Sequence, residues 1–233
     1  MPDPVPNAEV LRSLGRLVRG LSALFWGLPS ALIVCFYTAR AEGIRAFGIM
    51  PPLVCAGWLA YGLWQLGAFQ KRERVWRNTL DRAQLLSVIN LGLSPFLYWS
   101  SRVPANGFFF LMVLVLALCG LLFLGSLNQV LQRLGAMLPD EALRLEIKQF
   151  TALNLNLLTG MLALALAYVV LVHLHKTMPH WAQRIAVRLN QNDVWYLVPI
   201  IPLVLLPVAM TMALLWKTKQ VILDSVFGTK FQA

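Results

Sequence analysis

The sequence has little charge and few groups that could carry out chemistry. Only 13% of its 233 residues are charged and 58% are hydrophobic, whereas soluble domains carry about 25% charged residues. It has only three cysteines, Cys35, Cys55 and Cys119, each inside an apolar stretch. They are interpreted as buried thiols, which excludes a disulfide framework and a cysteine metal site. The shortage of charge predicts a membrane protein.

Charged side chains are missing altogether from six long windows. Because Asp, Lys or Arg at the centre of a spanning helix costs about 2.5–3.5 kcal/mol, such windows mark candidate spans. They cover residues 20–39, 46–70, 83–101, 103–132, 149–175 and 194–216. A span needs roughly 20 apolar residues to cross about 30 Å of hydrocarbon. Every window is long enough.

The windows predict an all-α, polytopic membrane protein whose six helices form three hairpins. The expected spans are about 21–38, 47–69, 85–101, 107–127, 151–172 and 194–216, in a single domain from 21 to 216. Residues 1–7, with three prolines, are expected to be a flexible tail, and residues 217–233 a C-terminal tail. Pro95 is expected in the middle of the third span, and Pro51 and Pro52 in the first turn of the second.

Lysine and arginine predict the orientation. With the N-terminus inside, the cytoplasmic segments hold fourteen of these residues and the external loops six. This excess follows the positive-inside rule and places both termini in the cytoplasm, with the protein in the cell (inner) membrane. The net charge of +10 is spread over all loops. It therefore indicates contact with anionic lipid headgroups and not with nucleic acid.

Two segments outside the spans are amphipathic. Residues 8–20 place Leu14, Leu17 and Leu21 on one arc and Arg12 and Arg16 on the opposite side, which predicts a helix in the plane of the membrane before the first span. Residues 179–192 have a similar pattern. They predict a second interfacial helix, on the external side before the last span.

The most basic segment, residues 70–84, lies between the second and third predicted spans. An apolar arc that includes Val75, Trp76 and Leu80 predicts a helix on the inner leaflet, although a docking surface for a soluble partner is the alternative. The side chains expected to contact anionic lipid or a partner are Lys71, Arg72, Arg74, Arg77 and Arg82.

Amide side chains recur near the cytoplasmic ends of the predicted spans. Neighbouring antiparallel helices would bring them to similar depth, where an unpaired amide is costly. Hydrogen bonding between helices is the favoured interpretation, and a polar lining for a cytoplasmic cavity is the alternative. The residues concerned are Asn90, Asn128, Gln129, Asn154 and Asn156.

Candidate metal ligands and catalytic groups are few. His173, His175 and His180 are the only histidines. Helical geometry would point the rings of His173 and His175 about 200° apart, so a metal site requires the helix to end by His173. All ten acidic residues lie outside the charge-free windows, which leaves no buried acid or histidine to activate a nucleophile or couple transport to ions. We expect no enzyme activity, cofactor or metal.

These features favour a non-enzymatic subunit or scaffold that associates with other subunits in a larger membrane assembly. The order of elements resembles the permease subunits of type-2 ABC exporters: a basic amphipathic N-terminal helix, six spans, a cytoplasmic helix between the second and third, and an external helix before the sixth. No sequence motif accompanies the resemblance. It implies an alternative function, a permease-like component of an externally powered exporter or a passive transport protein.

Overall fold

A computed structural model of the chain describes residues 8–40, 47–69, 73–104, 106–137, 141–174 and 194–227. This part of the chain is 93% helix and contains no strand, which confirms the all-α prediction. Seven helices follow one another: α1 (Ala8–Arg40), α2 (Met50–Leu66), α3 (Arg74–Leu93), α4 (Pro95–Arg102), α5 (Gly107–Ala136), α6 (Glu141–Leu174) and α7 (Val194–Phe227).

Three of the helices are long and apolar enough to cross a membrane. The qualifying segments are Arg12–Ala39 in α1, Gly107–Ala136 in α5 and Arg144–Ala167 in α6. The most apolar window of α5 has a mean hydropathy of 2.9, yet only 6% of it is buried inside the protein. An apolar surface that the protein does not cover is expected where lipid is the solvent.

The first helix is continuous where the sequence predicts a boundary. Residues 8–20 and the predicted first span form one 33-residue helix with Pro29 inside it, about 50 Å long. Leu17, Leu21, Leu24 and Leu28 continue one buried face across the expected boundary. The structure therefore shows no separation between the interfacial helix and the span at residue 20. The same face of α1 packs against the protein before and after this residue.

The third predicted span consists of two helices that meet at Ser94, beside the expected mid-span proline, and Ser94 itself keeps helical dihedral angles of φ −56° and ψ −34°. Helix α3 ends at Leu93 and α4 begins at Pro95. Proline lacks the N–H that would bond the carbonyl of Leu91. The Ser94 hydroxyl donates to that carbonyl at 2.8 Å. The break therefore leaves the freed acceptor satisfied.

Of the other helix boundaries, one agrees with the prediction and two extend beyond it. Pro51 lies in the first turn of α2, as predicted. The basic segment is continuous with the start of the third span, since α3 begins at Arg74. Helix α7 continues to Phe227, so much of the predicted C-terminal tail is helical. The predicted external helix at 179–192 lies outside the described residues.

Buried side chains concentrate at one end of the bundle, which we call the packed half. It comprises residues 17–28 of α1, 60–66 of α2, 76–87 of α3, 123–135 of α5, 147–161 of α6 and 207–222 of α7. Helices α1 and α2 approach closely there: a Cβ on Gly20 would lie 2.7 Å from the carbonyl oxygen of Gly62. Small residues permit such contact between membrane helices.

The opposite end, which we call the open half, buries far less. It comprises residues 29–39 of α1, 50–58 of α2, α4, 107–122 of α5 and 162–167 of α6. Large apolar side chains such as Ile33, Phe36, Val54 and Leu164 are more than half exposed there. Its main internal contacts are aromatic, including a stacked pair of Trp99 and Phe109 with ring centroids 6.3 Å apart.

Candidate functional site

Three buried polar side chains meet in the packed half, where α5, α6 and α7 adjoin. Asn128 of α5 and Asn154 of α6 each donate a hydrogen bond from Nδ2 to the Oγ1 of Thr211 in α7, both at 3.0 Å. All three residues are fully buried. The Thr211 hydroxyl therefore joins three helices. We call Asn128, Asn154 and Thr211 the amide–threonine cluster.

Helix α7 orients the Thr211 hydroxyl through the backbone carbonyl one turn earlier. Thr211 Oγ1 donates to the carbonyl oxygen of Pro207 at 2.7 Å, and Asn154 Nδ2 reaches the same oxygen at 3.2 Å. Threonine commonly donates to the carbonyl four residues earlier in a helix. With its single hydrogen directed to Pro207, the hydroxyl presents both lone pairs to the two amides.

The two amide oxygens of the cluster are used differently from its two amide nitrogens. Asn128 Oδ1 and Asn154 Oδ1 are buried and accept no hydrogen bond from the part of the chain that the structure describes. Asn128 Nδ2 also donates to the Leu124 carbonyl at 2.8 Å, so its donor side is well used. The cluster is thus rich in satisfied donors and has two spare acceptors.

The remaining predicted amides do not join the cluster. Asn90 lies elsewhere and donates to the Cys119 carbonyl of α5 at 3.4 Å. Gln129 and Asn156 are exposed. The structure therefore brings together two of the five predicted amides and leaves the others at separate positions.

An ion pair also connects α6 and α7. Lys217 Nζ donates to Glu146 Oε2, with both side chains partly exposed. Glu146 precedes Asn154 in α6, whereas Lys217 follows Thr211 in α7. The two helices are therefore antiparallel, as the prediction of hairpins requires for these elements.

The apolar arc of the basic segment, predicted to face the inner leaflet, is largely buried in the protein. Trp76, Leu80 and Ala83 are buried in the core, and the Trp76 Nε1 donates to the Phe69 carbonyl at 3.1 Å. These three side chains pack inside the protein, whereas Val75 of the same arc is 47% exposed. Arginine side chains remain exposed at Arg74, Arg77 and Arg82. Lys71 and Arg72 lie outside the described residues.

Of the three histidines, only His173 belongs to a helix that the structure describes. His173 lies in α6, which continues to Leu174, so the helix has not ended by His173 as a metal site would require. His175 and His180 fall outside the described residues. Among the residues described, no group of three His, Cys, Asp or Glu side chains could hold a metal ion.

Sequence reasoning missed two polar residues that join helices. Thr211 is one, and its place as the only serine or threonine in the charge-free window 194–216 was the available signal. The other is Gln84, whose Nε2 donates to the Leu63 carbonyl near the C-terminal end of α2 at 3.3 Å. Terminal carbonyls of a helix need such partners, but one chain alone does not reveal which side chain supplies them.

Comparisons with known proteins identify no relative. No protein-family model, no curated protein and no solved structure matches this chain.

Proposed function

We propose that the chain is a six-span membrane protein with both termini cytoplasmic, serving as a non-enzymatic subunit or scaffold of a larger membrane assembly. This six-span topology is supported by the excess of lysine and arginine in alternate loops. The antiparallel arrangement of α6 and α7 agrees with it. The packed half then lies at the cytoplasmic side, where the predicted ends of the helices carry Arg16, Arg82 and Arg133.

The observation that carries the scaffold role is an exposed aromatic stripe on α2. Trp58, Tyr61 and Trp64 are 47%, 53% and 67% exposed. Trp58 is the ninth residue of a 17-residue helix, so it lies near mid-depth of the membrane. Tryptophan and tyrosine favour the membrane–water interfaces, not the lipid interior. A stripe that extends to mid-depth is better explained by contact with another subunit, since aromatic side chains dominate protein interfaces.

The amide–threonine cluster supports the same role. A polar lining for a substrate would expose its hydrogen-bonding groups to a cavity. Here Asn128, Asn154 and Thr211 are fully buried, and their donors bond to one another and to helix carbonyls. The cluster therefore serves to join three helices, which is the usual function of amides between membrane helices.

Purification of the full chain in mild detergent, followed by mass spectrometry, tests the scaffold role. We expect stoichiometric partner subunits with the wild type and their loss with the double variant Trp58→Leu/Trp64→Leu. Phe110→Leu is the matched control, because Phe110 is 52% exposed on α5. Recovery of the same partners by the stripe variant, or a wild type that purifies alone, would refute the proposal.

A second candidate function is the permease-like component of an externally powered exporter. The exposed arginines of α3, Arg74 and Arg77, favour it because they offer a docking surface at the predicted cytoplasmic end. An ATPase in the purified assembly, with cross-links from residues 70–84 to it, would identify this function. A partner set without an ATPase would favour the scaffold.

The six-span threading has its own test. In a chain with its three cysteines replaced, single cysteines at Lys71, Arg102 and Lys219 are labelled with a membrane-impermeant thiol reagent in whole cells. We expect labelling at Arg102→Cys alone, with Lys71→Cys and Lys219→Cys labelled only after the membrane is opened. Labelling of Lys71→Cys and Lys219→Cys from opposite sides would contradict an even number of intervening spans.

A further inference from the structure

An open cleft runs along the surface between α3, α5 and α6. It consists of two adjoining cavities of about 460 Å³ and 370 Å³, which share Arg82, Gln129 and Leu155 as lining residues. Each volume lies within the range of about 300–1,000 Å³ that is typical of sites for small molecules. The cavities differ in chemistry, and that difference indicates what the cleft could bind.

The first cavity is polar and basic. Its polar lining consists of Asn78, Thr79, Arg82, Gln129, Gln132 and Arg133. No acidic side chain lines it, and neither Arg82 nor Arg133 forms an ion pair with any other residue that the structure describes. Two free guanidinium groups and three amides provide many hydrogen-bond donors, and guanidinium binds phosphate with two parallel bonds.

The second cavity is apolar and leads away from the arginines. Its walls are mainly leucine: Leu85, Leu86, Leu121, Leu122, Leu158 and Leu162. Gly125 forms part of the wall, and a Cβ added there would meet Leu155 Cδ2 at 3.7 Å. The cleft is therefore amphipathic along its length, with charge at one end and hydrocarbon at the other.

The length of the cleft matches one leaflet of a bilayer. Along α5 it extends from Arg133 to Leu121. Twelve residues of helix rise about 18 Å. Half of the hydrocarbon core measures about 15 Å. A lipid whose phosphate lies between the arginines would therefore have room for its acyl chain against the leucines, ending near the middle of the membrane.

From this arrangement we infer that the cleft between α3, α5 and α6 is a specific site for one anionic phospholipid, with the phosphate held by Arg82 and Arg133 and an acyl chain held by the leucines. The inference rests on the membrane placement proposed above and not on the scaffold role. It distinguishes Arg82 from Arg74 and Arg77, which are exposed on the same helix but do not line the cleft.

Native mass spectrometry of the full chain in detergent tests the site. The probes are phosphatidylglycerol, phosphatidylcholine with the same acyl chains, and inorganic phosphate. We expect one phosphatidylglycerol per chain to persist, and Arg82→Gln/Arg133→Gln to weaken its binding by about tenfold or more through loss of charge-assisted hydrogen bonds. The control Arg74→Gln/Arg77→Gln removes the same charge from exposed positions outside the cleft, and it should retain wild-type binding.

A second variant tests the acyl chain. Leu122 is 47% exposed on the wall of the cleft, so Leu122→Trp should fill the apolar cavity without disturbing the core and should also weaken phosphatidylglycerol binding. Equal losses in the two arginine variants would overturn the inference in favour of unspecific attraction to charge. Equal retention of phosphatidylcholine, full competition by inorganic phosphate, or unchanged binding in Leu122→Trp would each overturn it as well. Circular dichroism verifies that every variant is folded.

Discussion

The two halves of the bundle share the helices α1, α2, α5 and α6 but pack very differently. In the packed half, Leu127, Leu131 and Leu134 of α5 are fully buried. In the open half of the same helix, Phe108 and Phe110 are more than half exposed. Hydropathy does not explain the difference, because the open half of α5 is the more apolar of the two.

The difference shows what holds membrane helices together. In lipid, leucine gains little by leaving hydrocarbon for a protein interior, so burial alone does not drive association. The packed half instead contains close contacts at Gly20, Gly62 and Gly135 and the bonds of the amide–threonine cluster. The open half lacks such contacts over most of its described length. Shape and hydrogen bonding, and not apolarity, therefore determine which half packs.

The largest effect is expected from enlarging Gly20. A Cβ there would lie 2.4 Å from Leu66 Cδ1 and 2.7 Å from the Gly62 carbonyl oxygen. Gly20→Leu should therefore separate α1 from α2 and destabilise the protein by about 3 kcal/mol. Gly92→Leu is the control, since a Cβ there meets nothing within 4 Å. Unfolding in mixed detergent micelles measures the stability of both variants. Equal losses of stability would show that the close contact at Gly20 does not hold the packed half together.

A smaller loss of stability is expected when the hydroxyl of Thr211 is removed. Thr211→Val keeps the volume but deprives Asn128 and Asn154 of their shared acceptor, at a cost of about 1–2 kcal/mol. Thr159→Val is matched to it, because the exposed Thr159 hydroxyl bonds only to the Leu155 carbonyl of its own helix. The same unfolding measurement should show that this control destabilises the protein by at most about 0.5 kcal/mol. A neutral Thr211→Val would show that the cluster does not hold the packed half together.

The smallest effect is expected at the break between α3 and α4. Ser94→Ala leaves the Leu91 carbonyl without the donor that replaces the missing N–H of Pro95, and it should cost about 1 kcal/mol. In a Pro95→Ala background, the backbone N–H returns and the same serine change should cost clearly less. Undiminished loss in that background would show that Ser94 acts in some other way. A double-mutant cycle of unfolding free energies measures this coupling.

Much of the architecture follows from where charge is absent. The all-α prediction is confirmed for the described residues, and α1, α5 and α6 each contain a segment that is long and apolar enough to cross a membrane. Helix boundaries were less predictable. A charge-free window shows where lipid can surround a helix, but it does not indicate whether a proline such as Pro95 bends a helix or divides it, or that α1 is continuous through residue 20.

The candidate site was only partly predictable. An amide is costly to leave unpaired in lipid, which correctly directed attention to Asn128 and Asn154. Which amides would meet depends on the rotation of each helix about its axis, and the sequence alone does not define that rotation. Asn156, two residues beyond Asn154, is consequently exposed on another face of α6.

The sequence by itself determined which segments are apolar enough to cross a membrane, because the energetic cost of a charge in hydrocarbon excludes Lys, Arg, Asp and Glu from such segments. Tertiary structure alone decided which ends of the helices pack, which amides share Thr211, and how Arg82 and Arg133 come to lie at one end of a leucine-lined cleft. These features depend on contacts between residues far apart in the chain, whereas the exclusion of charge is a local property of each segment.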